Sequence, residues 1–144
     1  MRFITTVVLI AWLGSVASIW SQPAKTASTA SPLGIWKGES TCLVRPSGCN
    51  DEESVYRFSK APQENQVTLS ANKIVNGKEI NMGTGRCEYN AAKNAIDCPL
   101  PNGSTIHFDL AEAAMQGTMK LKGGTLWRKI QLNRQESETG KNKQ

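Results

Sequence analysis

The stretch QVTLSANKIVNGKEINMGTGRCEY, residues 66–89, contains the strongest hairpin signal of this chain. Its apolar residues alternate with polar ones on both sides of Asn76-Gly77, as they do in β-strands with one buried face. Asn-Gly is a preferred pair for a two-residue hairpin turn, because a type I′ turn needs positive φ at both central positions. The pattern therefore predicts a hairpin that joins a strand Gln66–Val75 to a strand Lys78–Tyr89.

The same alternation continues along the chain between further turn signals. Within the strand 78–89, Gly83 or Gly85 marks a bend, since a missing side chain permits a bulge. Six more strands are predicted: Gly34–Cys42, Ser54–Ser59, Ala95–Leu100, Thr105–Leu110, Ala114–Leu121 and Thr125–Leu132. Sequential strands with short connections form a meander, which removes its exposed edges by closing into an up-and-down barrel. We predict an all-β, eight-stranded antiparallel barrel, with a two-sheet sandwich as the alternative.

The N-terminal residues have the order of a secretory signal peptide. Arg2 supplies a positive charge, residues 3–13 are almost entirely apolar, and small residues follow. An apolar run of about a dozen residues is shorter than the roughly 20 that a membrane span needs, so cleavage is predicted, after Ala17 or after Ser21. The predicted organisation is a signal peptide (1–21), a flexible lead-in (22–32), a barrel domain (33–132) and a disordered polar tail (133–144).

The cysteines support export. Cys42, Cys49, Cys87 and Cys98 all follow the signal segment, and an even number in an exported chain favours two disulfides over metal ligands. Three pairings are formally possible. The local pairing, Cys42 with Cys49 and Cys87 with Cys98, is favoured because each pair brackets a turn. The protein is therefore expected to be secreted or periplasmic.

Charge and motifs argue against several classes of function. The formal net charge of +5 falls by one to +4 once Arg2 is removed, and the basic residues are scattered among acidic ones, so no nucleic-acid partner is expected. His107 alternates outward, and the acidic run Asp51–Glu53 is interpreted as a solvated loop. No catalytic motif is found, and we expect a non-enzymatic monomer with no metal, no cofactor and no membrane span after signal removal. Asn102-Gly103-Ser104 satisfies the N-glycosylation pattern, but a turn also accounts for it.

Gly34-Ile35-Trp36 opens the first predicted strand, and Arg128 lies in the last. In this the chain resembles the calycin group of barrels, the lipocalins and their relatives, in which a Gly-x-Trp of the first strand packs against an Arg of the last strand. The resemblance implies that Gly34, Trp36 and Arg128 close one end of the barrel in a structural role. Arg128 is also expected to face the apolar interior, where stacking on the Trp36 ring would offset the cost of burying its charge.

An eight-stranded barrel of this size either is filled by its own side chains or holds one small ligand. The residues expected to line a ligand cavity are Phe58, Leu69, Ile80, Met82, Ile96, Ile106, Phe108, Met115, Met119, Leu126 and Ile130. Our first hypothesis is an exported barrel that binds a small apolar or amphipathic molecule in its lumen. The alternative is a surface-acting inhibitor or interaction protein, similar in outline to small bacterial metalloprotease inhibitors, in which the lead-in segment enters a partner's cleft.

Overall fold

Eight β-strands make up most of the part of the chain that the computed structural model describes, residues 30–136. The strands are β1 (Gly34–Cys42), β2 (Glu52–Lys60), β3 (Gln66–Val75), β4 (Lys78–Asn90), β5 (Ala95–Pro99), β6 (Thr105–Leu110), β7 (Ala114–Lys120) and β8 (Leu126–Arg134). Each strand pairs antiparallel with the next, and β1 pairs with β8, so the sheet closes. The predicted eight-stranded up-and-down barrel is confirmed, and the sandwich alternative is excluded.

The hairpin of β3 and β4 forms as its sequence predicts. Asn76 and Gly77 have φ values of 52° and 75°, as a type I′ turn requires. The register shifts beside Ala71, which pairs with Gly83, and this leaves Met82 as the extra residue of a bulge. Gly83 has a φ of 151°, which residues with a side chain rarely adopt. The predicted bend therefore lies at Gly83.

The last strand runs two residues past Leu132, its predicted end. Asn133 and Arg134 continue β8 and pair with Lys37 and Trp36 of β1. The reason is the antiparallel closure, which brings the end of the last strand against the start of the first. The predicted signal peptide (1–21), most of the lead-in (22–29) and the remainder of the tail (137–144) lie outside the described residues.

Both disulfides have the predicted local pairing. Cys42 is bonded to Cys49 across the loop between β1 and β2, and Cys87 is bonded to Cys98 between β4 and β5. The second bond belongs to the barrel interior, where both of its cysteines are buried. In residues 30–136 there is no helix with the length and apolar character needed to cross a membrane.

The core fills one half of the barrel. The ring of Phe108 packs edge to face against both Tyr56 and Phe58 of β2, with each centroid 5.8 Å away and the planes nearly perpendicular. Such edge-to-face pairs are favourable beyond the area that they bury. Gly117 of β7 faces Phe108 across the sheet, and the ring occupies the space that a side chain would need there. This half of the interior is therefore filled by packed side chains.

Candidate functional site

The other half of the barrel contains a cavity of about 830 Å³. It lies toward the end where β5 leads into β6 and β7 leads into β8. Its rim includes exposed residues of two segments, Met82–Arg86 of β4 and Pro101–Asn102 of the loop between β5 and β6. The volume is within the range of roughly 300–1,000 Å³ that is common for small-molecule sites.

The cavity opens where β4 and β5 stop pairing. β4 pairs with β3 along almost its whole length, but only its last residues, Glu88–Asn90, pair with β5. Cys87 and Cys98 occupy the next position of this ladder, so the disulfide holds the two strands together at the point where they separate. Beyond the disulfide, Gly83 and Gly85 leave open space in the wall, because a Cβ at either position would meet nothing within 4 Å.

Part of the predicted lining set does line this cavity. These residues are Leu69, Met82, Ile106 and Met119, from β3, β4, β6 and β7. They are joined by Ala71 and Leu100, which the sequence prediction did not include. This side of the cavity, which we call the apolar wall, is thus built from the strands between β3 and β7.

The remaining predicted residues do not line it. Phe58, Ile96, Phe108, Met115 and Ile130 are buried in the packed half of the barrel. Ile80 and Leu126 remain 45% and 43% exposed, because both lie at the mouth: Ile80 near the tip of a hairpin that extends beyond the short β5, and Leu126 at the start of β8. Alternation predicts whether a side chain points into or out of the barrel, but not its depth along the barrel axis.

Polar side chains of three adjacent strands form the opposite side of the cavity. Ser40 of β1, Glu52 and Tyr56 of β2, and Arg128 of β8 line it together, and we call them the polar wall. Arg128 faces inward as its strand position predicts, and its side chain is only 12% exposed. The contacts of Arg128 account for this burial, since a buried charge is costly unless it is paired and hydrogen-bonded.

Arg128 is held from two directions. Its Nη1 donates to the carbonyl oxygen and to Oγ of Ser40, both at 3.2 Å. Its Nη2 lies 3.4 Å from Oε1 of Glu52, and the same carboxylate oxygen accepts a hydrogen bond from Nζ of Lys73 at 3.3 Å. Two cations thus share one carboxylate beside the cavity.

Tyr56 completes the polar wall. Burial raises the pKa of its hydroxyl above the ordinary value, while the neighbouring Ser54 side chain and the charge of Arg128 lower it and the charge of Glu52 raises it. The phenol therefore stays protonated near neutral pH and can donate a hydrogen bond. The sequence prediction did not include Tyr56, although its position two residues before Phe58 on the same face of β2 indicates an inward side chain.

The closed end of the barrel corrects one prediction of the sequence analysis. The cation over the Trp36 ring is Arg134, with its guanidinium carbon 4.2 Å from the ring centroid, whereas Arg128 lines the cavity instead. In the antiparallel ladder Trp36 pairs with Arg134, while Arg128 pairs with Cys42 at the other end of β1. Gly34 lies at the closed end as expected, with the Arg134 side chain beside it. Counting residues back from an antiparallel closure would have identified Arg134.

Arg134 also ties down the start of the described chain. It donates hydrogen bonds to the backbone carbonyl oxygens of Ser31 and Leu33, and Nε donates to that of Glu112 at 3.0 Å. The Tyr89 hydroxyl donates to the carbonyl oxygen of Ala30 at 2.7 Å. Residues 30–32, predicted to belong to a flexible lead-in, are therefore anchored on the closed end.

The three residues of the acidic run have different surroundings. Asp51 pairs with Arg45 and accepts a hydrogen bond from the backbone of Cys42, and Glu53 pairs with Lys37 on the outside of the barrel. Only Glu52 reaches the cavity. Within residues 30–136, no group of three or more acidic, histidine or cysteine side chains is arranged to hold a metal ion.

His107 lies on the outer surface of β6, as its alternation predicts. Its Nδ1 is 2.6 Å from Oδ1 of Asp97, and Nε2 is 3.4 Å from Oδ1 of Asp109. The hydrogen bond to Asp97 is the main reason that the pKa of His107 is raised above 6.5. The imidazole is separated from the cavity by the sheet and takes no part in the site.

Comparison with known proteins adds no family to this description. Neither a scan against protein-family models nor a search of curated proteins finds a match for this chain.

Proposed function

We propose that this protein is an exported β-barrel that binds a small amphipathic molecule in its lumen. The observation that carries the proposal is the cavity of about 830 Å³, which has an apolar wall on one side and a polar wall on the other. Ligand sites are typically concave and mostly apolar, with a few polar groups that fix the orientation of the ligand. Here those groups are Arg128, Tyr56, Ser40 and Glu52.

Two further observations support parts of this proposal. Both disulfides are formed, and stable disulfides belong to oxidising compartments such as the periplasm or the extracellular space. The polar wall offers hydrogen-bond donors and an ion pair but no arrangement of nucleophile and base, which favours binding over catalysis. The alternative of a surface-acting inhibitor rests on the lead-in segment 22–32, of which the structure describes only residues 30–32; Ala30 and Ser31 are hydrogen-bonded to the closed end.

The proposal is tested by filling the cavity. Gly85 pairs with the inward-facing Leu69, so a side chain at position 85 would enter the lumen, and its Cβ would meet nothing within 4 Å. A Gly85→Leu variant should therefore fold but lose binding of a neutral polarity-sensitive dye. Gly123→Leu is the matched control, because this glycine also has open space around it but does not line the cavity.

The readout is dye fluorescence titrated against wild type and both variants, with near-UV circular dichroism to verify folding. We expect wild type and Gly123→Leu to bind the dye with equal affinity and Gly85→Leu to lose at least about tenfold. Equal binding by all three proteins would refute a lumen site. If Gly85→Leu alone loses binding, native mass spectrometry of the mature protein after exposure to a lipid and metabolite extract would identify the natural ligand.

A further inference from the structure

The charges beside the cavity do not cancel. Arg128 and Lys73 both contact the carboxylate of Glu52, which is the one acidic residue of the polar wall. The formal charge of this group is therefore +1. Arg86 adds another positive charge at the rim. A cationic ligand would be repelled here, whereas a ligand with one negative charge would complete the balance.

The ion pair between Arg128 and Glu52 is loose. Its 3.4 Å separation exceeds the roughly 2.7–2.9 Å of a strong charge-assisted hydrogen bond. Glu52 would also keep a cationic partner if it moved away from Arg128, because Nζ of Lys73 lies 3.3 Å from the same carboxylate oxygen. An incoming carboxylate can thus replace Glu52 at Arg128 without leaving a buried acid unpaired.

Arg128 is already oriented for this exchange. Ser40 holds Nη1 through two acceptors, which fixes the plane of the guanidinium, and Nη2 points toward Glu52. A guanidinium has five N–H donors in a planar fork that matches a carboxylate. Tyr56 lines the same wall, and its hydroxyl group is a further hydrogen-bond donor for a bound head group.

We propose that the cavity selects a single-chain amphipathic molecule with one carboxylate, and that Glu52 occupies the place of this carboxylate at Arg128 until the ligand enters. This inference rests on the proposed function and names the ligand class. The aliphatic chain would lie along Leu69, Ile106 and Met119 of the apolar wall. Glu52 acts as an internal competitor that lowers the affinity for anions.

The test compares two probes of equal length, a medium-chain fatty acid and the primary alcohol with the same number of carbons. Each displaces the neutral dye from the mature protein at neutral pH. Because hydrogen bonds to charged groups are stronger than neutral ones, the acid should bind wild type about tenfold or more tightly than the alcohol. Arg128→Gln should remove this preference, and Glu52→Gln should strengthen acid binding roughly three- to tenfold without changing alcohol binding.

The control variant is Arg57→Gln, which removes the same charge from the outer face of β2, where Arg57 pairs with the exposed Glu79. It should leave both affinities within about twofold of wild type, as expected for an exposed ion pair. If Arg128→Gln fails to fold, the gain of affinity for the acid in Glu52→Gln still tests the proposed competition at Arg128. A purely structural ion pair would not produce that gain.

The two proposals fail in different ways. If neither probe displaces the dye and Gly85→Leu binds the dye as wild type does, the lumen is not a binding site and both proposals fall. If the acid and the alcohol bind equally well, with no response to Glu52→Gln, lumen binding stands and the carboxylate preference is overturned. A weaker binding of the acid to Glu52→Gln would overturn it as well.

Discussion

Gly117→Ala should destabilise the barrel through a single contact. A Cβ built at this position would lie 2.6 Å from Cδ1 and 2.7 Å from Cε1 of Phe108, and 3.3 Å from the carbonyl oxygen of His107. Carbon atoms in packed interiors prefer separations of about 3.5–4.0 Å, so the ring must move by about 1 Å. The ring cannot move freely, because Tyr56 and Phe58 both pack against it.

The size of the effect follows from two opposing contributions. Overpacking of a filled core costs about 1–3 kcal/mol. Replacing glycine by alanine also restricts the unfolded chain, which contributes about 0.4–1 kcal/mol of stability where the backbone permits it. The net loss should be about 1–2 kcal/mol, which corresponds to a fall in Tm of roughly 5–10 °C for a domain of this size.

The assay is thermal and denaturant unfolding followed by circular dichroism. Gly123→Ala is the control, since no atom lies within 4 Å of its added Cβ, and its Tm should equal or slightly exceed that of wild type. A double-mutant cycle with Phe108→Leu isolates the contact. Because the smaller side chain leaves room for the methyl group, the two substitutions should be non-additive, by about 1 kcal/mol or more. A Tm for Gly117→Ala within a degree of wild type, together with an additive cycle, would refute the packing argument.

Two other predictions concern the closed end and the outer surface. Arg134→Met should lower the free energy of unfolding by about 1–3 kcal/mol, because it removes the stacking on Trp36 and three hydrogen bonds to backbone carbonyls. A denaturant midpoint equal to that of wild type would contradict this prediction. The hydrogen bond to Asp97 raises the folded-state pKa of His107, so its contribution to stability is fully present below about pH 6.5 and is lost as the pH rises through the folded pKa. Wild type should therefore lose more stability than His107→Gln across this pH range, and parallel curves of unfolding free energy against pH would rule this out.

Much of the fold could be predicted because its signals are local. Alternation places apolar side chains on one face of each strand, and Asn76-Gly77 permits the turn that sets the register of the β3–β4 hairpin. The two disulfide pairs bracket short turns, so their pairing also depends on nearby residues. For the same reason, the inward orientation of Arg128 was predicted from its strand alone.

The depth of each residue in the barrel was not predictable in this way. Arg128 was expected to stack on Trp36, but Arg134 takes that place, because an antiparallel closure pairs the start of β1 with the end of β8. Likewise Ile80 has the apolar character of a lumen residue and is nevertheless exposed at the mouth.

The strands, their order, the hairpin turn and the disulfides were predictable from the amino-acid sequence, since each depends on residues that are close together in the chain. Where the interior is filled and where it is open became visible only in the folded barrel. That outcome depends on the unequal lengths of β4 and β5 and on which side chains meet across the lumen. Ser40, Glu52 and Arg128 come from distant parts of the chain, and only the closure of the barrel makes them neighbours beside one cavity.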